Sequence, residues 1–95
     1  MSLDELRDQI EVLDEALLRL LNERMGLSLE IGKIKRREGR EIYDPAREER
    51  LLAVLSDQNE GPMTDDALEA IYRAVLKASR EIQQSSGPGS GTTVD

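Results

Sequence analysis

The sequence predicts an all-α protein of three helices, the first of them very long. Three observations favour this fold class: apolar residues recur at helical spacing, almost all of them are Leu, Ile, Val, Ala or Met, and 35% of the residues are charged. Only two of the 95 residues are aromatic, both of them tyrosine. A single domain of this length buries only about two-thirds of the surface that its unfolded chain exposes, so association with another chain is a natural source of stability.

The first helix is expected over Leu3 to Arg37. Ser2 and Glu5 form a capping box before it, and Gly39 follows its basic last turn. Ten positions alternate steps of three and four to form an apolar seam, and nine of them are Leu or Ile: 3, 6, 10, 13, 17, 20, 24, 27, 31 and 34. Such a helix is about 50 Å long, far more than a compact monomer of this size can cover. It therefore needs a partner along its length, and a second copy of the chain is the simplest one.

Two shorter helices follow the first. Asp44 is expected to cap the second helix, with Pro45 at its first position, and Gly61-Pro62 to end it. Thr64 caps the third helix. The stripe of that helix consists of Leu68, Ile71, Tyr72, Val75, Leu76, Ser79, Ile82 and Gln83. We expect the helical domain to cover residues 1–84 and residues 85–95 to form a flexible Gly/Ser-rich tail or linker.

The composition excludes several kinds of chemistry. Without Cys or His, the chain has no histidine-dependent triad, thiol nucleophile, disulfide or zinc site of the usual kind, so no metal is expected. A net charge of −7 argues against nucleic acids and anionic membranes as partners. The sequence shows no signal peptide and no apolar run of membrane length, so we expect a cytoplasmic protein.

Polar residues occupy several positions where apolar ones are expected. Arg24 lies in the seam of the first helix. Lys35, eleven residues later, projects from the helix axis in a direction within about 20° of that of Arg24. A register-setting buried ion pair or a snorkelling side chain would also explain Arg24, and a solvated lysine in the last turn would explain Lys35. Ser79 and Gln83, one turn apart on the third helix, could line the same cavity or simply bond to the backbone. Arg7 lies about 25 Å from Arg24 along the helix, so both can serve one small ligand only if two chains build the site.

The charge distribution points to a small anion as the ligand. Residues 33–50 contain seven of the thirteen basic residues and five acidic ones, in a chain whose net charge is −7. A local positive region of this size suits a small anion, whereas a polymer would require a broad basic face. Two residues of this region also have simpler explanations. Asp44 could be no more than a helix cap, and Glu48, beside Arg47, no more than an exposed charge.

Taken in order along the chain, three stretches of the sequence resemble the all-helical, AroQ-class chorismate mutases. The resemblance covers about Leu3 to Gln83 and rests on LRDQIEVLDEALLRLLNERMGLSLEIGKIK, on YDPAREERLL and on the step from Ser79 to Gln83. It implies an intertwined homodimer of three-helix chains with two active sites, each built from both subunits. It also implies conversion of chorismate to prephenate in phenylalanine and tyrosine biosynthesis, without a cofactor.

The resemblance also implies roles for eight residues. Arg7 from the second chain and Arg24 would bind substrate carboxylates, while Lys35 and Gln83 would contact the ether oxygen of the breaking bond. The expected catalytic residues are Arg24, Lys35, Glu48 and Gln83. The expected substrate-binding residues are Arg7, Arg24, Lys35, Asp44, Arg47, Glu48, Ser79 and Gln83, with Asp44 and Glu48 orienting the ring hydroxyl, Arg47 near the substrate and Ser79 on a carboxylate.

Two other functions are compatible with the sequence. An isochorismate pyruvate lyase of the same fold would act on a related anion by a similar pericyclic route. A non-catalytic dimerisation or regulatory module would explain the seam and the tail, but it leaves Arg24, Ser79 and Gln83 without a common purpose. The tail could also connect this domain to a second enzyme of the pathway, such as a prephenate dehydratase.

Overall fold

The computed structural model describes residues 1–85 as three α-helices and no strands. They are α1 (Leu3–Arg37), α2 (Pro45–Gln58) and α3 (Asp65–Ser85). The prediction of an all-α chain of three helices is confirmed, and so are the limits predicted for the first helix. Residues 86–95 of the predicted tail lie outside the described residues. No helix within residues 1–85 is both long enough and apolar enough to span a bilayer.

The ends of α1 follow from local sequence. The Ser2 side chain accepts a hydrogen bond from the Glu5 N–H at 3.1 Å, which satisfies one donor of the first turn. At the other end, Gly39 adopts a φ of +66°, a conformation that is open to glycine and strained for most other residues. The chain reverses there, and the Arg40 N–H donates to the Lys35 carbonyl at 2.8 Å. Residues 40–44 therefore return alongside the last turn of α1.

Side-chain caps also set the limits of α2 and α3. Asp44 Oδ1 accepts from the Arg47 N–H at 3.1 Å, and Thr64 Oγ1 accepts from the Ala67 N–H at 3.1 Å, as the sequence predicts. The second helix ends at Gln58, earlier than Gly61-Pro62. Asn59 explains the difference, because its amide group bonds to three groups of the following turn: the Met63 carbonyl, Asp65 Oδ1 and the Gly61 N–H.

The third helix packs against both of the others, and its contact with α1 is polar as well as apolar. Ser28 and Gly32, both small, are the buried residues of α1. The hydroxyl oxygens of Ser28 and Ser79 lie 2.6 Å apart in this contact. Among the described residues, Leu52 and Leu76 are the only buried apolar side chains. Residues 1–85 of the single chain therefore have almost no apolar core of their own.

The apolar seam of α1 is exposed along the whole helix. Its nine apolar residues range in exposure from 41% at Ile31 and Ile34 to 67% at Leu27. The molecule measures 53 × 36 × 15 Å and has a radius of gyration of 16.7 Å, against about 12 to 13 Å for a compact chain of this length. The N-terminal half of α1 is the extended part of the molecule: residues 3–20 are exposed except for Ala16, whereas both buried residues of α1, Ser28 and Gly32, lie in its C-terminal half.

Candidate active site

A cavity of about 380 Å³ lies where the C-terminal halves of α1 and α3 meet the start of α2. Seven of the eight predicted site residues line it: Arg24, Lys35, Asp44, Arg47, Glu48, Ser79 and Gln83. The lining also includes four apolar side chains of α1 and α3 and one of the turn between α1 and α2: Leu27, Ile31, Ile34, Leu76 and Ile42. Residues that are far apart in the sequence thus share one concave site of a size suited to a small molecule.

The eighth predicted residue, Arg7, is exposed and does not line this cavity. It lies seventeen positions before Arg24 in the same helix, which corresponds to about 25 Å. Within one chain, therefore, Arg7 is outside the candidate site.

The first helix presents two cations to the cavity. The Arg24 guanidinium carbon lies 5.6 Å from the centroid of the Tyr72 ring, close enough for a cation–π contact. No carboxylate within residues 1–85 forms an ion pair with it, so the buried ion pair considered above is not what the described chain contains. Lys35 Nζ donates to the Ile42 carbonyl at 2.9 Å, so it is tied to the returning chain rather than solvated at random.

A buried chain of polar groups joins α1 and α3 at the base of the cavity. Gln83 Nε2 donates to Ser79 Oγ at 3.3 Å, and Ser79 Oγ is 2.6 Å from Ser28 Oγ. All three side chains are buried. Sequence reasoning missed Ser28, although its position one turn after Arg24 and two turns before Lys35 is a signal that could have found it. The chain of hydroxyls fixes the Gln83 amide relative to α1.

A charged pair closes the side of the cavity formed by α2. Arg80 Nη1 donates to both carboxylate oxygens of Glu48 at 2.6 Å. The two side chains are 29% and 14% exposed, so Glu48 is not the exposed charge that its neighbourhood in the sequence suggests. The Arg80 guanidinium carbon also lies 4.9 Å from the centroid of the Tyr43 ring. Arg80 is a second residue that sequence reasoning missed; its adjacency to Ser79 was the only signal for it.

The charged residues of the lining give the cavity a net positive charge. Five cations and two carboxylates belong to it: Arg24, Lys35, Arg40, Arg47 and Arg80, with Asp44 and Glu48. The resulting charge of +3 contrasts with −7 for the whole chain. A small anion with two negative charges suits such a cavity. Among residues 1–85, no cluster of three or more acidic side chains has the arrangement of a metal site.

Comparison with known proteins points to one family. The family model for chorismate mutase type II matches residues 6–84. The chain is 39% identical over 83 residues to the T-protein of Enterobacter agglomerans, and 37% identical over 86 residues to the bifunctional chorismate mutase/prephenate dehydratase of Aquifex aeolicus. Each alignment covers 86% of this chain but only 22% and 24% of the two relatives. The chain thus spans less than a quarter of the length of these curated relatives.

Solved structures show the same similarity over nearly their whole length. Form II of the chorismate mutase from Thermus thermophilus superposes with a TM-score of 0.84 at 36% identity, over 85% of this chain and 92% of that one. The chorismate mutase from Helicobacter pylori, solved in complex with prephenate, superposes with a TM-score of 0.81 at 34% identity, over 88% and 91%.

Proposed function

Because the chain belongs to the chorismate mutase type II family, we propose that it converts chorismate to prephenate. The reaction is an intramolecular Claisen rearrangement: an ether C–O bond breaks while a C–C bond forms, and no proton is transferred. The observation that carries the proposal is the cavity of net charge +3, lined by hydroxyl, amide, ammonium and guanidinium groups. These groups can hold a dianion and stabilise charge on an oxygen, which is all that the reaction requires of a protein.

The first task of the site is to hold chorismate in its reactive, folded conformation. In the proposed complex, Arg24 binds one carboxylate with its guanidinium supported by the Tyr72 ring, and Ser79 donates its hydroxyl to a carboxylate. Asp44 and Glu48 accept from the ring hydroxyl, and Arg47 adds positive charge nearby. Fixing this conformer lowers the barrier because the two reacting carbons are held close together before the bond forms.

The second task is to stabilise the negative charge that develops on the ether oxygen. Lys35 and Gln83 reach the cavity from different helices, and we assign both of them to this oxygen. Their orientation is set before substrate arrives, Lys35 by its bond to the Ile42 carbonyl and Gln83 by its bond to Ser79. Donors that need not reorganise during the reaction stabilise a transition state more than they stabilise the substrate.

The proposed active form is a homodimer that shares its two sites. The exposed seam of α1 and the position of Arg7 both support this arrangement. If two copies pack α1 antiparallel with a twofold axis near residues 15 and 16, position 7 of one helix lies level with position 24 of the other. The partner's Arg7 then reaches a substrate carboxylate that Arg24 alone leaves unpaired, and the seam is buried along both chains.

The proposal is tested with purified protein and chorismate. Loss of the ultraviolet absorbance of chorismate, together with identification of prephenate by proton NMR, is the expected result. A folded protein that leaves chorismate unchanged would contradict the proposal. A parallel assay with isochorismate, in which released pyruvate is measured, tests the lyase alternative, and we expect no pyruvate.

A further inference from the structure

Arg80 lies in the cavity wall, where it contacts both Glu48 and the Tyr43 ring. Its Nη1 donates to both oxygens of Glu48 at 2.6 Å, and the Tyr43 ring lies 4.9 Å from its guanidinium carbon. Of the ion pairs within residues 1–85, this one has the most enclosed side chains, and both of its members line the cavity. Arg80 and Glu48 are therefore both part of the candidate site.

The contact with Arg80 constrains what Glu48 can do. Because one guanidinium nitrogen binds both carboxylate oxygens, it takes up one lone pair of each and leaves the others directed elsewhere. A carboxylate fixed in this way can still accept a hydrogen bond from a ligand hydroxyl. Without Arg80, the same carboxylate would be free to rotate and would place an unbalanced negative charge in the cavity.

We propose that Arg80 is a positioning residue that acts through Glu48: it fixes the carboxylate for the ring hydroxyl and offsets its charge beside the substrate dianion. This inference rests on the proposed function. Glu48 on its own would repel the two carboxylates of chorismate, whereas the ion pair presents no net charge to them. Arginine suits this role better than lysine, because a planar guanidinium can bind a carboxylate and lie over an aromatic ring at once.

A second ion pair between α3 and α2 provides a matched control. Arg73 Nη1 donates to Glu49 Oε2 at 3.2 Å, and its Nε donates to Glu69 Oε2 at 2.8 Å. The hydrogen bonds that Arg73 donates to Glu69 and Glu49 raise the pKa of Arg73. These residues are about half exposed and do not line the cavity. Replacing Arg73 therefore removes a cross-helix pair of the same kind without changing the site.

The experiment is a double-mutant cycle on the purified protein. Its members are the wild type, Arg80→Met, Glu48→Gln and the double variant, with Arg73→Met and Arg80→Lys added. For each, kcat and KM for chorismate are measured, and circular dichroism and sedimentation confirm that fold and assembly are retained. We expect Arg80→Met to lower kcat/KM about tenfold or more, largely through KM, since the exposed charge of Glu48 weakens binding of the dianion.

The inference is tested by whether the effect of Arg80→Met depends on the presence of Glu48. In the Glu48→Gln background, where there is no charge to offset, Arg80→Met should change kcat/KM by less than about threefold. Arg80→Lys should lose less than Arg80→Met, and Arg73→Met should match the wild type. An undiminished effect of Arg80→Met in the Glu48→Gln background would overturn the inference, because Arg80 would then act on the substrate or on the fold.

Two further results would also count against the inference. Wild-type kinetics in Arg80→Met would show that Glu48 needs no positioning, and an equal loss in Arg80→Lys and Arg80→Met would show that the charge is not what matters. Both results are distinct from failure of the proposed function, since in that case the wild-type protein itself would not convert chorismate.

Discussion

Lys35, a proposed catalytic residue, is held by a contact that contributes little to folding. It is partly buried, and its contact with protein is a hydrogen bond to the Ile42 carbonyl in the turn between α1 and α2. That bond directs the ammonium group along the cavity wall, and the carbonyl can be satisfied by water if the lysine is removed. Removing Lys35 should therefore affect activity much more than stability.

Lys35→Ala is accordingly expected to lower kcat about 10² to 10³-fold, the usual effect of removing a donor to a developing oxyanion. The circular dichroism spectrum should be unchanged. Lys33→Ala is a suitable control, because Lys33 is exposed and, within residues 1–85, forms an ion pair only with Glu30 on the surface of α1. Turnover close to that of the wild type in a folded Lys35→Ala protein would refute the assigned role.

The elements differ in how far local sequence determines them. Both limits of α1 could be predicted, because a seam of ten positions and its caps are all contained within residues 2–39. The caps at Asp44 and Thr64 could be predicted for the same reason. The end of α2 could not, since it depends on an Asn59 amide that bonds to residues of the following turn.

The residues of the candidate site also differ in whether the sequence could predict them. Arg24, Ser79 and Gln83 were visible in the sequence because each interrupts an apolar stripe. The pairing of Glu48 with Arg80 could not be predicted, because 32 residues separate them and only the packing of α3 on α2 brings them together. Ser28 was hidden by its small size, which fits a helix contact as readily as a polar site.

The seam of α1 gives a test at the scale of the element. Leu13 and Val12 are adjacent and almost equally exposed in the single chain, at 66% and 65%, but only Leu13 belongs to the seam. Leu13→Glu should abolish association, because it would bury a carboxylate between two apolar helices. Val12→Glu should have little effect. Sedimentation gives the mass of each variant, and equal masses for both would argue against the seam as the interface.

At the scale of the whole molecule, the proposed shared site predicts complementation between two defective chains. Arg7→Ala and Lys35→Ala proteins should each be nearly inactive as homodimers. Mixed dimers contain one site that combines an intact Lys35 with an intact Arg7 from the other chain, and a second site that lacks both. An equal mixture, unfolded and refolded together, should therefore recover about one quarter of wild-type activity. A mixture no more active than its parents would show that each site belongs to one chain.

The scarcity of buried apolar side chains within the chain has a consequence for kinetics. With only Leu52 and Leu76 buried among the described apolar residues, a chain separated from the proposed dimer has little to hold its helices together, so dissociation and unfolding would be one event. When the proposed dimer is diluted, its chains would then lose their catalytic sites and their fold at the same time. The rate at fixed substrate should rise in proportion to protein concentration above the dissociation constant, and with its square below it. The order of the reaction in enzyme would thus report how strongly the chains assemble.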